Sequence, residues 1–168
     1  MNLPSVHELI DTMTSNLKQH IQSKGIDNLC MVGIHTGGVW IAEQLHKNLQ
    51  LEDPLGVLDI TFYRDDFTKK GLHPSVIPSE LPFSIEERHV ILVDDVIMSG
   101  RTVRAALNEL FDYGRPASIT LASLIELDAR ELPIRADIVG ASLALSNNDR
   151  IKLLGPAPLS LEIQTTDS

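Results

Sequence analysis

Apolar residues recur at helical spacing in three stretches of the chain. The first stretch has the pattern of an amphipathic helix with one buried face, formed by Val6, Leu9, Ile10, Met13, Leu17 and Ile21. Ser5 and Glu8 have the spacing of a capping box at its start, and Gly25 is a typical helix stop. Similar patterns beginning at Val39 and Val103 predict two further helices, and the last of these should end at Gly114.

Short runs rich in apolar and β-branched residues lie between these helices and predict strands. The strand candidates are residues 29–34, 55–63, 90–93, 118–125 and 136–139. Strands that alternate with helices predict an α/β fold, in which a parallel sheet carries helices on both faces. In such folds ligands bind beyond the carboxyl ends of the strands. The turns that follow these ends are therefore the first places to look for a site.

Two segments do not show either period. Residues 67–82 contain one glycine and three prolines, which predicts a long loop that serves as a flexible flap. The chain ends in a polar C-terminal tail, about residues 163–168, whose last residues, QTTDS, are predicted to be disordered. The length of 168 residues fits a single domain that spans residues 1–168.

Composition narrows the functional classes. The net charge is −9, with 23 acidic and 14 basic residues, which argues against broad, non-specific binding to nucleic acids. Cys30 is the only cysteine, so no internal disulfide can form, and its apolar neighbours predict a buried free thiol. No apolar stretch approaches the roughly 20 residues of a membrane span, and no signal peptide is recognisable. We therefore expect a cytoplasmic protein without a membrane segment.

The stretch His89–Thr102, HVILVDDVIMSGRT, places two adjacent aspartates and a Ser/Gly turn between a strand and a helix. Free backbone amides at a helix N-terminus bind anions, and here Met98–Thr102 would supply them. Gly100 permits close ligand approach. Asp94 and Asp95 can accept hydrogen bonds from sugar hydroxyls or bind hydrated Mg²⁺. Together these features predict a sugar-phosphate site, although an isolated acidic pair more often just ends a strand.

The full string is more specific than its parts. It has neither the GxxxxGK[ST] nor the GxGxxG pattern of other nucleotide-binding turns. Instead, VILVDDVIMSGRT resembles the signature with which phosphoribosyltransferases of the common α/β type bind phosphoribosyl pyrophosphate (PRPP). Four further segments resemble the PyrR family of pyrimidine-operon regulators, which are also uracil phosphoribosyltransferases. They are VGIHTGG, LDITFYRDDFTKK, VRAALNELFDYGRPASI and RELPIRADIVG.

This resemblance implies a fold, a reaction and partners. The fold would be the parallel-sheet phosphoribosyltransferase fold with a flap. The reaction would convert uracil and PRPP to UMP and pyrophosphate with Mg²⁺, and some family members also bind an RNA leader when UMP is present. A homodimer or larger homo-oligomer is expected. The alternatives are an RNA-binding attenuator that senses UMP with little catalysis, and a phosphoribosyltransferase for a purine base. The acidic charge favours catalysis over RNA control.

The resemblance also assigns roles around the acidic pair. Asp94 and Asp95 would be the catalytic residues on the ribose hydroxyls, with Asp95 also near the positive charge that develops on the ribose. Mg²⁺ would be held mostly by substrate and water, and Asp94 and Asp95 are the protein groups that could contact it. The PRPP-binding residues would be Val96, Ile97, Met98, Ser99, Gly100, Arg101 and Thr102.

The pyrophosphate would meet the backbone amides of Thr36, Gly37 and Gly38 in the HTGG turn, which could also be an ordinary helix entry. Many family members read TRG after a lysine, whereas this chain has Gly37 and His35 at those positions. Two cations are therefore missing. Arg64 could clamp the pyrophosphate instead, or it could pair with neighbouring carboxylates in a surface network.

The uracil base should be read near the ends of the last strands. The resemblance points there to Ile125, Glu126, Arg150 and Ile151, acting mainly through backbone groups. Trp40, at the start of the second predicted helix, is expected in the core or at an interface rather than at a cofactor.

Overall fold

The computed structural model describes residues 2–60 and 79–166, which contain three helices. The sequence signals at the ends of the first helix are confirmed: Ser5 Oγ accepts the amide of Glu8 at 3.1 Å, and Gly25 closes the helix in the left-handed region, at φ 59°. Within the described ranges, no helix is long and apolar enough to cross a membrane. The helices are α1 (Val6–Lys24), α2 (Gly37–Leu49) and α3 (Arg101–Tyr113).

Five parallel strands form the main sheet, in the order β2-β1-β3-β4-β5. This confirms the predicted parallel α/β architecture. A separate antiparallel pair, β6 and β7, forms a hairpin after the sheet. The strands are β1 (Leu29–Ile34), β2 (Gly56–Leu58), β3 (His89–Ile97), β4 (Ser118–Leu127), β5 (Ile138–Leu143), β6 (Asp149–Leu154) and β7 (Ser160–Thr165).

Two hydrophobic cores show that helices cover both faces of the sheet. One core contains Met13 and Leu17 of α1 with Ile41 and Leu45 of α2, all fully buried. Burying a side chain of this size contributes about 1.5–3 kcal/mol. The opposite face packs against the buried stripe of α3, together with the free thiol of Cys30, which is buried as expected. The stripe consists of Val103, Ala106 and Leu110.

Four of the five predicted strands have other bounds in the structure. β4 continues to Leu127, two residues beyond the predicted end, and β5 covers Ile138–Leu143 rather than residues 136–139. The sequence predicts a strand at residues 90–93, but β3 continues to Ile97 because Val96 and Ile97 pair with Ile125 and Glu126 of β4. Asp94 and Asp95 therefore lie inside the last part of a strand, where pairing to a neighbour fixes the backbone. The strand predicted at residues 55–63 is shorter in the structure, because β2 covers only Gly56–Leu58 although residues 59 and 60 are also described. Its last three positions lie outside the described residues.

The end of the chain also differs from the prediction. The hairpin β6–β7 was not expected, and the disorder predicted for the tail QTTDS is wrong at its start, because β7 runs to Thr165. Ile163 pairs with Ile151 across the hairpin, which holds this part of the tail. Residues 67–78 of the predicted flap lie outside the described residues. At its other end, Glu80 is paired, since it exchanges backbone hydrogen bonds of 2.7 and 2.8 Å with Val57.

A carboxyl group on α3 is half-buried beside the end of β2. Ser79 Oγ donates a hydrogen bond to Glu109 Oε1 and accepts the amide of Asp59 at 3.0 Å. The second oxygen, Glu109 Oε2, is buried and has no hydrogen-bond partner among the described residues. Burial raises the pKa of Glu109, the hydrogen bond from Ser79 lowers it, and the charges of Asp59 and Asp112 raise it further. The net shift is upwards, so the folded protein holds this proton more tightly than the unfolded chain does.

We expect Glu109→Gln to change the pH dependence of stability. In the wild type, the raised pKa contributes stability below the ordinary glutamate value of 4.5, and this contribution is lost as the pH rises through the folded-state value. Glutamine can still accept from Ser79 but cannot ionise. The free energy of unfolding of the variant, relative to that of the wild type, should therefore increase as the pH rises from about 4 to 8. Urea unfolding curves at several pH values measure this difference. Glu43→Gln, on the exposed face of α2, is the control; an equal offset for Glu109→Gln at every pH would contradict the assignment.

Candidate active site at the carboxyl edge of the sheet

Two helices begin side by side at the carboxyl edge of the sheet. α2 starts after β1, α3 starts after β3, and β1 and β3 are neighbouring strands. The N-cap residues are Thr36 and Gly100, and neither makes a side-chain capping hydrogen bond. Each helix start carries a partial positive charge and unpaired amides. The two turns singled out in the sequence therefore place amide donors at one edge of the sheet.

The acidic pair is held close to the backbone of β3. Asp94 is only 4% exposed, and its Oδ1 accepts the amide of Asp95 at 2.8 Å. Asp95 is half-buried, and its Oδ1 accepts the amide of Val96 at 2.8 Å. Ser123 of β4 contacts the same backbone by donating to the carbonyl of Asp95 at 3.2 Å, and it also donates to the carbonyl of Ile125 on its own strand at 2.7 Å. Two carboxylates are thus placed rigidly at the end of the strand.

The loop from Met98 to Thr102 retains part of its predicted donor set. The amide of Arg101 is used internally, since it donates to Ser99 Oγ at 3.2 Å. Among the described residues, no acceptor is present for the amides of Ser99, Gly100 and Thr102. They border a cavity of about 100 Å³ that is also lined by Asp94. These three amides are the donors that an anion in this cavity could use.

The connection between β4 and β5 supports this loop from behind. The amides of Glu131 and Leu132 donate to the carbonyl of Ser99 at 3.0 and 3.2 Å. Because a trans peptide points its C=O and N–H in opposite directions, this contact turns the amide of Gly100 away from the connection. Arg101 Nε also pairs with Glu131 Oε2 at 2.9 Å. The sequence had shown only a polar connection here, and its similarity to the family segment RELPIRADIVG was the available signal.

The HTGG turn packs directly on the acidic pair. A Cβ added to Gly38 would lie 2.6 Å from the carbonyl oxygen of Val93 and 3.1 Å from the Cα of Asp94. A Cβ added to Gly37 would overlap the Oδ2 atom of Asp95. An arginine at position 37 would therefore displace this carboxylate in the present arrangement. The glycine at position 37, where many family members have arginine, therefore leaves the space that the Asp95 carboxylate occupies.

The residues predicted to read the base lie on two elements. Ile125, which is buried, and Glu126 are in the last part of β4, beside Val96 and Ile97 of β3. Glu126 Oε1 accepts the amide of Ala136 at 3.2 Å, and the residue lines a cavity of about 370 Å³.

The other two base candidates are on β6 of the hairpin, which contacts β3. Arg150 is exposed, whereas the half-buried Ile151 packs against the core shared with α1 and α2. Arg64, the candidate pyrophosphate clamp, lies outside the described residues. The structure thus brings together the acidic pair, the glycine turn and the loop at 98–102, with the base candidates on adjoining elements.

Comparisons with known proteins identify the family of this chain. The phosphoribosyl transferase domain family matches residues 2–155. The bifunctional protein PyrR of Pseudomonas paraeruginosa is 62% identical over 162 residues, which cover 96% of this chain and 95% of that protein. The corresponding protein of Pseudomonas syringae pv. syringae is 60% identical over 164 residues, covering 98% and 96% of the two chains.

Solved structures share the fold at low sequence identity. A hypoxanthine-guanine phosphoribosyltransferase of Bacillus anthracis aligns with a TM-score of 0.67 at 17% identity, covering 85% of this chain and 83% of that chain. The hypoxanthine phosphoribosyl transferase of Trypanosoma cruzi aligns with a TM-score of 0.66 at 21% identity, covering 87% and 79%. The fold predicted from the sequence is confirmed. Because a domain family spans nearly the whole chain and close relatives span all of it, this chain belongs to the phosphoribosyltransferases and, within them, to the PyrR family.

Proposed function

We propose that this phosphoribosyltransferase converts uracil and PRPP to UMP and pyrophosphate, and that it also regulates pyrimidine genes as a member of a bifunctional family. One observation carries the catalytic part of the proposal. Two rigid carboxylates lie between two helix N-termini whose first amides face the same edge of the sheet. This arrangement suits a ribose that bears an anion at each end.

The two helix starts divide the anionic groups of PRPP between them. The 5′-phosphate would accept from the amides of Ser99, Gly100 and Thr102 at the start of α3, with the hydroxyls of Ser99 and Thr102 as further donors. The pyrophosphate would lie at the start of α2, over residues 36–38. Arg64 stays a prediction as an additional clamp. Held at both ends, the ribose would lie across Asp94 and Asp95.

Catalysis then depends on position and charge. As pyrophosphate leaves the anomeric carbon, positive charge develops on the ribose ring and negative charge on the leaving group. The carboxylate of Asp95 stabilises the first charge, and the amides of the HTGG turn stabilise the second. Asp94 and Asp95 also accept from the ribose hydroxyls and so fix the ring for in-line attack by the base nitrogen. A covalent nucleophile on the protein is unnecessary.

The residues at this edge fit Mg²⁺ as a partner of the substrate. In the described ranges, no group of three or more His, Cys, Asp or Glu side chains could hold a metal ion by itself. Mg²⁺ keeps several waters and binds through one or two carboxylates together with substrate phosphates, which matches the carboxylates that Asp94 and Asp95 supply at this edge. When bound, the ion acts as a Lewis acid that offsets the charge on pyrophosphate.

The remaining parts of the proposal concern base, RNA and assembly. Ile125, Glu126, Arg150 and Ile151 are proposed to read the edges of uracil. RNA-leader binding is the less favoured activity, because the chain carries a net charge of −9 and Arg101 is paired with Glu131. A homodimeric or larger assembly and a cytoplasmic location stay predictions.

The proposal is tested by offering each nucleobase to the purified protein with PRPP and Mg²⁺. We expect UMP and pyrophosphate with uracil, and no nucleotide with hypoxanthine, guanine or adenine. Formation of a purine nucleotide would support the purine alternative. Absence of any nucleotide, combined with UMP-dependent retention of a pyrimidine-operon leader RNA on a filter, would support the attenuator.

A further inference from the structure

Trp40 lies between the turn of the hairpin and the first turn of α2. A Cβ added to Gly155, in the turn that joins β6 to β7, would lie 3.3 Å from Cε3 and 3.5 Å from Cζ3 of the indole ring. The ring is partly buried and packs against the same core as Ile151 and Leu159. One face of this side chain thus borders the hairpin.

The backbone of Trp40 belongs to the turn proposed to bind pyrophosphate. Its amide donates to the carbonyl of Thr36 at 3.4 Å. Gly37 and Gly38 lie between these two residues in the first turn of α2. Gly37 packs against the side chain of Asp95, and Gly38 packs against the Val93–Asp94 backbone. A displacement of Trp40 along the helix would therefore shift the glycine turn against the carboxylates.

The hairpin depends on side-chain packing for its position. Its two strands form a sheet of their own and, within residues 2–60 and 79–166, share no ladder with the five-stranded sheet. A two-stranded hairpin is marginally stable alone and needs a hydrophobic surface to pack against. Directly paired apolar residues supply its inner face, namely Ile151 with Ile163 and Leu153 with Leu161. At the turn end of the hairpin, the surface offered by the rest of the protein includes the ring of Trp40.

We propose that Trp40 is a positioning residue that fixes the hairpin relative to the pyrophosphate turn. The inference rests on the proposed function, since it takes PRPP to bind at residues 36–38 and the base to lie near Arg150 and Ile151 on β6. The single indole then serves both halves of the site. Removing the indole should weaken the binding of a ligand that occupies the pyrophosphate turn. It should also weaken the binding of a nucleotide that reaches the hairpin, although Trp40 is proposed to contact neither ligand.

The test is calorimetric binding of PRPP with Mg²⁺, and separately of UMP, to the full chain. We expect Trp40→Ala to raise the Kd of each ligand by about five-fold or more, which is the lower range of couplings between linked sites. Trp40→Phe, which keeps an aromatic ring, should recover most of the loss for both ligands. Leu49→Ala removes a partly buried side chain that packs against the same core at the other end of α2; it should leave both affinities within about two-fold of the wild type.

Several outcomes would overturn the inference. Weakening of one ligand alone would mean that Trp40 does not join the two halves, and an equal loss in Leu49→Ala would reduce its role to general stability. Should Trp40→Ala fail to fold, Gly155→Ala provides a second route, because its methyl group would press on the ring and on Leu159. It should weaken both ligands in the same direction, and unchanged affinities would contradict the proposal.

Trp40 is also the only tryptophan in the chain, so the tryptophan fluorescence of the wild type reports on the surroundings of this residue. Its fluorescence should change when either ligand binds, and no change at calorimetric saturation with both would contradict the inference. The proposed function is judged separately by turnover of uracil. A wild type that binds both ligands without forming UMP would weaken the catalytic proposal and leave the binding comparison intact. A wild type that binds neither would overturn both.

Discussion

Asp95→Asn should lower kcat for UMP formation by about 10²- to 10³-fold, the size of loss seen when one electrostatic stabiliser of a transition state is removed. The substitution is nearly isosteric. The amide oxygen of asparagine can still accept the hydrogen bond that Asp95 Oδ1 receives from the Val96 amide at 2.8 Å. The negative charge that faces the developing positive charge on the ribose is lost. The KM for PRPP should therefore change less than kcat.

The measurement is an initial-rate assay with uracil and PRPP both varied, together with a urea unfolding curve for each protein. Asp11→Asn is the matched control, since Asp11 is an exposed residue on α1 and its side chain is 62% accessible. It should keep the wild-type rate. Undiminished turnover in Asp95→Asn would remove this carboxylate from the mechanism. A large loss of unfolding free energy would instead indicate that the charge holds the glycine turn in place.

Asp94 is the less informative of the two for such a test. It is nearly fully buried, and Gly38 packs against its Cα. A change at this residue would alter packing as well as charge. The half-buried Asp95 separates the two effects better, because asparagine has nearly the same shape against Gly37 and can still accept the hydrogen bond of the Val96 amide.

Features encoded by neighbouring residues could be predicted from the sequence. The start and end of α1 follow from Ser5 and Gly25, whose effects act within one helical turn. The placement of the HTGG and SGRT turns at the same edge of the sheet also followed, because parallel strands bring their carboxyl ends to one edge. That β1 and β3 are direct neighbours is known only from the structure. The family resemblance added roles for these turns that spacing alone does not contain.

Features that depend on distant partners were missed. The last residues of β3 are strand because β4 offers partners at Ile125 and Glu126, and nothing in the local sequence announces that pairing. The support that Glu131 and Leu132 give to Ser99 spans more than thirty positions of the chain. The hairpin is an intermediate case. Its alternation of Ile151 and Leu153 with Lys152 has the period of a strand, but so short a run cannot be distinguished from a loop by pattern alone.

Gly100→Val should weaken PRPP binding by about 5- to 150-fold, which corresponds to the roughly 1–3 kcal/mol typical of a residue forced into a disfavoured backbone region. Gly100 has φ 97°, which a β-branched residue rarely adopts. Close ligand approach, the reason suggested by the sequence, is secondary here. A Cβ at this position would lie 3.4 Å from Ile134 Cβ and 3.5 Å from Leu132 Cβ, which are ordinary contacts on the side of the supporting connection.

The loss should arise because the backbone rotates to a negative φ and takes the amides of Ser99 and Gly100 away from the 5′-phosphate. Gly25→Val is a matched control, because Gly25 also has a positive φ, 59°, with no atom within 4 Å of the added Cβ. That variant should lose unfolding free energy but keep the wild-type Kd for PRPP in calorimetry. If Gly100→Val binds PRPP as tightly as Gly25→Val does, the phosphate is held elsewhere, and the loop at residues 98–102 is only the entrance to a helix.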